Sequence, residues 1–183
     1  MIKAVLDACV IYPAPLRDLL LSLADIGLFK PFWSAKINEE WIRNLLIKRP
    51  ELSLSKLALT VEAMNKAFPD ANVSSNVNIA SSLSLPDQDD IHVLGTAIVS
   101  ESNYIITSNL KDFPHKILGQ YHIQAIDPDT FILERFKDQK TLALVALHNQ
   151  IKRLRHPPLS RLEVFDIFKK IGLTKTINHL KTL

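Results

Sequence analysis

The sequence predicts an α/β fold, on three observations. Residues 2–7 form a short apolar run that reads as a buried strand. Residues 104–107 and 122–126 are two further strand-like runs. Between and after these runs, apolar residues recur at helical spacing, giving the order strand, helix, helix, helix, helix, strand, strand and then helices. The 183 residues are enough for one core with a small appendage.

Each element has a local cause. Pro13 and Pro15 break the chain after the first strand, and Leu16, Leu19, Leu20, Leu23 and Ala24 then mark a helix to about Leu28. Pro31-Phe32-Trp33 is a short extended piece. Ser34 caps a helix that Pro50 stops after Arg49. Ser53 or Ser55 caps the next, through Ala67, which Pro69 ends. The Asn- and Ser-rich residues 70–86 read as loop with room for one short strand. Asp87 or Asp89 caps a helix from about Asp90 to Ser100. Beyond Asp127-Pro128 the chain reads as helix, with a break at Pro157-Pro158. Ser160 and Glu163 form a capping box for a further helix ending near Gly172. Leu159, Leu162, Val164, Phe165, Phe168, Ile171, Leu173 and Ile177 give this C-terminal part an apolar face. That face can pack on the body, on a second copy as a homodimer, or around a partner segment.

Composition excludes several classes. The 47% hydrophobic and 22% charged content is ordinary for a globular protein. No apolar stretch approaches the roughly 18 residues of a membrane span. The N-terminal segment lacks a signal-peptide pattern and Cys9 is the lone cysteine, which together favour a cytoplasmic protein. Cys9 is expected to be a small buried hydrophobe. The chain has no Gly-rich phosphate loop and no His/Cys zinc cluster, and His92 is expected on a helix surface.

Charge is unevenly placed. Residues 1–134 hold 11 Lys+Arg and 16 Asp+Glu, a net of −5, whereas residues 135–183 hold 11 and 3, a net of +8. Lys152, Arg153 and Arg155 form the densest basic cluster. Such a part contacts nucleic acid or an acidic partner, or else forms solvated helix faces.

Four acids stand where a carboxylate is awkward. Asp7 ends an apolar run, which costs several kcal/mol unless the charge is paired or bound to a metal. Glu40 lies at the edge of the apolar side formed by Ile37, Trp41, Ile42 and Leu45, whereas Glu39 points toward Arg43 as an exposed ion pair. Asp90 sits in a first helical turn above Val93 and Leu94, where the helix dipole favours its charge; a plain cap is the other reading. Asp112 follows the strand at 104–107. If the strands are parallel, Asp7 and the loop of Asp112 share the sheet edge at which ligands of open α/β sheets bind. Carboxylates converging there repel each other unless a hard cation such as Mg²⁺ or Mn²⁺ neutralises them.

These motifs resemble those of the PIN-domain nucleases, and within them the VapC-like toxins of type II toxin–antitoxin pairs. VLDACVIYPAPLRDLLL carries Asp7 at the family's first metal-binding acid, and INEEWIRNLL carries Glu40 at the second. LPDQDDIHVLGTAI carries Asp90, and YIITSNLKDFP supplies Thr107 and Asn109 as the family's Thr-x-Asn, with Asp112 after them. The match covers about residues 2–126. One departure is the pair Ala8-Cys9, where the family usually has a small polar residue followed by Asn or a similar residue.

The resemblance implies a parallel sheet of four or five strands with helices on both faces. It implies a nuclease domain at 1–126, a basic helical extension at 127–183, and hydrolysis of RNA with Mg²⁺ or Mn²⁺. Asp7, Asp90 and Asp112 would hold the ion, Glu40 would bind directly or through water, and Thr107 and Asn109 would orient those groups. A cognate antitoxin is the implied partner. An RNA-processing factor and a non-catalytic RNA- or protein-binding module are the alternatives within the same fold. A haloacid-dehalogenase-like phosphatase would need Asp where Cys9 stands. A response-regulator receiver would need a paired early acid and a late Lys, and neither is clear.

Overall fold

The computed structural model describes residues 1–74, 84–155 and 158–183. Four strands, β1 (Lys3–Leu6), β2 (Lys30–Phe32), β3 (Tyr104–Ile106) and β4 (Gln124–Ile126), form one parallel sheet in the order β2-β1-β3-β4. Val5 pairs with Phe32 on one side and with Ile105 on the other. The predicted α/β architecture of a parallel sheet with flanking helices is therefore present. Ala4, Val5, Leu6, Ile105 and Ile106 are fully buried, as strands covered on both faces require. The order also fixes where a ligand can enter. From β1 the chain crosses first to β2 and later to β3 on the opposite side, so the crevice beyond the ends of β1 and β3 is the switch point of the sheet.

The helices of the body follow their sequence signals closely. Next to β1 comes α1 (Ala8–Ile11), a single turn, then α2 (Ala14–Asp25), whose Leu16, Leu19, Leu20 and Leu23 are buried. The backbone leaves α2 through Gly27 at φ 81°, a conformation that favours glycine. Ser34 caps α3 (Ala35–Lys48) by accepting from the Ile37 N–H, and Pro50 follows. Ser53 is the N-cap of α4 (Leu54–Ala67), although its side chain makes no capping bond. A bridge between Trp33 and Asn72 supplies the short extended contact expected within 70–86; residues 75–83 lie outside the described residues. One 3₁₀ turn at Gln88–Asp90 leads into α5 (Ile91–Val99), and another at Leu110–Asp112 precedes α6 (His115–Leu118).

The C-terminal helices pack on this body. They are α7 (Pro128–Asp138), α8 (Lys140–Arg153), α9 (Arg161–Lys170) and α10 (Thr174–Leu180). Phe131 of α7 stands edge-on to Phe29 at 5.0 Å and to Tyr104 at 5.9 Å. Helix α8 lies along α2, where the Gln150 amide donates to the Pro15 carbonyl and Arg153 donates to the Ser22 hydroxyl, each at 3.2 Å. Ser160 and Glu163 form the predicted capping box of α9, and Gly172 at φ 95° follows its C-terminal end. Asp129 is buried and accepts from the N–H groups of Lys175 and Thr176 at 2.7 and 2.8 Å, holding the start of α10 against α7. Of the predicted apolar face, Val164, Phe165, Phe168, Leu173 and Ile177 are buried against the protein's own core, whereas Leu162 is exposed. The predicted break at Pro157-Pro158 falls partly outside the described residues.

Candidate metal centre

The switch point gathers five carboxylates. Asp7 leaves the end of β1 and caps α1. Its backbone N–H donates to the Ile106 carbonyl, so the β1–β3 pairing fixes its place. Its Oδ1 accepts from the Ala8 N–H at 2.6 Å, and its Oδ2 accepts from the Thr107 hydroxyl at 2.6 Å and the Cys9 thiol at 3.1 Å. Burial, and secondarily the charge of Glu40, push its pKa up, while these hydrogen bonds pull it down. Thr107 is fully buried at the end of β3, and its oxygen also accepts from the Asn109 N–H at 3.0 Å. The Asn109 amide in turn donates to the Asp112 carboxylate. Thr107 and Asn109 thus each touch an acid.

Asp90 lies across the crevice, at the N-cap of α5. Desolvation pushes its pKa up to about 7, helped by the charges of Asp7, Asp87, Asp112 and Glu40. Its Oδ2 is buried and has no hydrogen-bond partner among the described residues. Carboxylate oxygens of Asp87, Asp90 and Asp112 lie within 4.8 Å of one another. One hard divalent ion holds oxygens at about 2.0–2.6 Å, so three at this spacing are within reach of a shared cation. An all-oxygen donor set with an orphaned buried oxygen fits Mg²⁺ or Mn²⁺.

The sequence-derived residues therefore fall in one crevice, but the close trio is not the one expected. Asp90 and Asp112 belong to it. Asp87, expected only as a cap, does cap the turn at Gln88–Asp90 and also faces the other two. Asp7 and Glu40 act on Asp90 through their charge instead of sharing that close group. The signal for Asp87 was Asp87-x-Asp89-Asp90, more acids than one cap needs.

Three other expectations change. His92 is buried, because α5 is enclosed on nearly every side; its Nδ1 lies 2.6 Å from the Asp89 carbonyl and its Nε2 lies 3.3 Å from Glu40. Cys9 is exposed as a residue, because the one-turn α1 rotates it away from Ala8 and Val10. Its thiol is nonetheless tucked against Asp7, Thr107 and the Ser108 N–H. Desolvation first and the Asp7 charge second push it to about 12. Cys9 thus donates to Asp7 from the position where the resemblance implied Asn or a similar residue. Glu39 is exposed, but no ion pair with Arg43 is found among the described residues.

Over residues 3–111 the chain matches the PIN domain family, and over residues 128–182 it matches the family described as VapC50 C-terminal domain. The chain belongs to the PIN-domain family. It is also similar to a protein of Mycobacterium tuberculosis (strain ATCC 25618 / H37Rv) named "Putative ribonuclease VapC50", at 30% identity over 77 residues. That alignment takes in 42% of this chain and 46% of the relative, so the chain spans about half the length of the curated relative it matches. No solved structure matches it. Among the described residues, no helix is long and apolar enough to cross a membrane.

Proposed function

We propose that this PIN-domain protein is a divalent-metal-dependent endoribonuclease of the VapC type, acting in the cytoplasm as the toxin of a toxin–antitoxin pair. The observation that carries the reading is the carboxylate crevice at the switch point, with an Asp90 oxygen that has no partner among the described residues. Asp87, Asp90 and Asp112 would hold Mg²⁺ or Mn²⁺, with Asp7 and Glu40 close enough to share the work directly or through water. The bound ion would neutralise charge on the phosphate and acidify an attacking water.

The protein's own groups have separate tasks. Thr107 fixes the Asp7 carboxylate in one rotamer, and Asn109 does the same for Asp112. Glu40 is partly exposed and turns its Oε2 to the buried His92, which leaves Oε1 to accept a proton from water. His92, bonded to the Asp89 carbonyl and facing Glu40, limits where that carboxylate can go. The Lys152, Arg153 and Arg155 cluster is proposed as a remote grip on the RNA backbone. Arg153 also ties α8 to Ser22, so Lys152 and Arg155 are the freer contacts.

Titration of Mg²⁺ and Mn²⁺ against cleavage of a mixed RNA pool tests the chemistry. Activity should appear with the ion and vanish in Asp90→Asn and Asp112→Asn. Full activity in either variant would sink the mechanism. Expression alone should slow growth, and a co-expressed antitoxin should relieve it. A harmless product that still cuts RNA would favour an RNA-processing role.

A further inference from the structure

We propose that the cleft beside the acidic crevice is the seat of a single-stranded RNA, holding the nucleotide next to the phosphate that is cut. The inference rests on the nuclease reading and adds the strand's path. The cleft has a volume of about 350 Å³ and is walled by Cys9, Tyr12, Glu40, Asn44 and Lys48. This is within the range of about 300–1,000 Å³ that small-molecule sites occupy. Cys9 and Glu40 belong to both the cleft and the acidic crevice, so a nucleotide lying in one is bonded to a phosphate in the other.

The walls offer what an unstacked nucleotide needs. Tyr12 gives an aromatic face, and the Lys48 ammonium lies 5.3 Å from the centre of that ring. Asn44 is exposed on α3, one turn before Lys48, and its amide can both donate to and accept from a base edge. Lys48 makes no ion pair among the described residues. A second cleft, of about 650 Å³, shares Tyr12 and Lys48 with the first and adds Arg17 and Arg49. Arg17 is held by Asp18 and Arg49 by Glu51, yet neither of those acids lines the two clefts. Among the described residues, Glu40 is the sole carboxylate on either wall. A path with Lys48 unpaired among the described residues and two ion-paired arginines beyond it, leading out of an acidic crevice, suits a polyanion whose bases can splay.

The test uses the full chain and a short fluorescein-labelled single-stranded RNA of mixed sequence. Binding is read by anisotropy without divalent ion, and cleavage is read separately with Mn²⁺. Loss of one stacked base or one base-edge contact weakens binding about tenfold, the effect expected for Tyr12→Leu and Asn44→Ala. Lys48→Ala should weaken binding and lower the slope of log K against log salt by about 0.7, the value for one single-strand phosphate contact. With Mn²⁺, these variants should raise KM more than they lower kcat. Asn44 and Lys48 are exposed, so their variants fold even if Tyr12→Leu does not. Unchanged affinity in all three, with a parent that binds RNA, overturns the inference and leaves the nuclease reading standing. Variants that keep RNA but lose a co-expressed antitoxin overturn it in favour of a protein segment. A parent that neither binds nor cuts RNA overturns both readings.

Discussion

Replacing Asp90 by Asn should stabilise the metal-free protein, and by an amount that depends on pH. In the folded state Asp90 has a pKa of about 7, raised from 3.8 first by desolvation and then by the charges of Asp7, Asp87, Asp112 and Glu40. The folded protein therefore binds more protons than the unfolded chain between about pH 4 and pH 7. This group's contribution to stability falls as pH rises through that window, the reverse of a salt-bridged carboxylate. Roughly three pKa units at about 1.4 kcal/mol each set a ceiling near 4 kcal/mol. Asp90 is only partly buried, and water screening reduces this to about 1–2 kcal/mol. Urea unfolding in EDTA at pH 5 and pH 8 measures it. The variant's advantage should reach that margin at pH 8 and be smaller at pH 5, vanishing only below the unfolded value of 3.8. Added Mn²⁺ should then stabilise the parent and leave the variant nearly unmoved, because binding to the folded state alone shifts the equilibrium. A variant less stable than the parent at pH 8, or a difference that does not change with pH, would refute the crowding argument. It would make Asp90 an ordinary cap.

The other predictions use the same contacts. Asp7→Asn should not share the gain of Asp90→Asn, since its amide nitrogen would meet the Thr107 and Cys9 donors that now serve Oδ2; the same urea series compares them. Cys9 is exposed, yet with its thiol pushed to about 12 it should stay unalkylated by iodoacetamide at neutral pH in the folded protein; mass spectrometry before and after denaturation decides this. Asp129→Ala should cost about 2–3 kcal/mol by removing two hydrogen bonds to a charged acceptor at the start of α10, read as a lower urea midpoint.

Features set by neighbouring residues were legible in the sequence. Val5-Leu6 could only be a buried strand, Ser34 and Pro50 bound α3, and the Ser160 box needs nothing beyond its own four residues. The β2 strand was visible only as an extended piece, because three residues including Pro31 carry little period. Long-range features were less legible. The local reading of Asp87 as a cap is right, but the chain folds so that the same carboxylate also faces Asp112. His92 was read from its polarity, although Val93, Leu94, Gly95, Thr96 and Ala97 beside it are all buried and announce an enclosed helix. Cys9 was read from its apolar neighbours, which do not reveal the turn of a one-turn helix.

The hydrogen bonds divide the carboxylates into two kinds. Asp7 accepts from three donors, one of them the fully buried Thr107 hydroxyl, so its geometry is fixed before any ligand arrives. Asp90 has a buried oxygen with no donor among the described residues. A buried acceptor that gains no partner costs about 1–3 kcal/mol. The cost makes sense if that lone pair is kept for a cation. The two acids then play different parts: Asp7 is a fixed wall that supplies charge, and Asp90 is the open ligand. Because the Thr107–Asp7 bond spans β3 and β1, the wall is tied to the register of the sheet. The open ligand is carried at the N-cap of α5, on the far side of the crevice. Closing a cation between them joins the sheet to the helix layer, so metal binding should raise the cooperativity of unfolding as well as the midpoint.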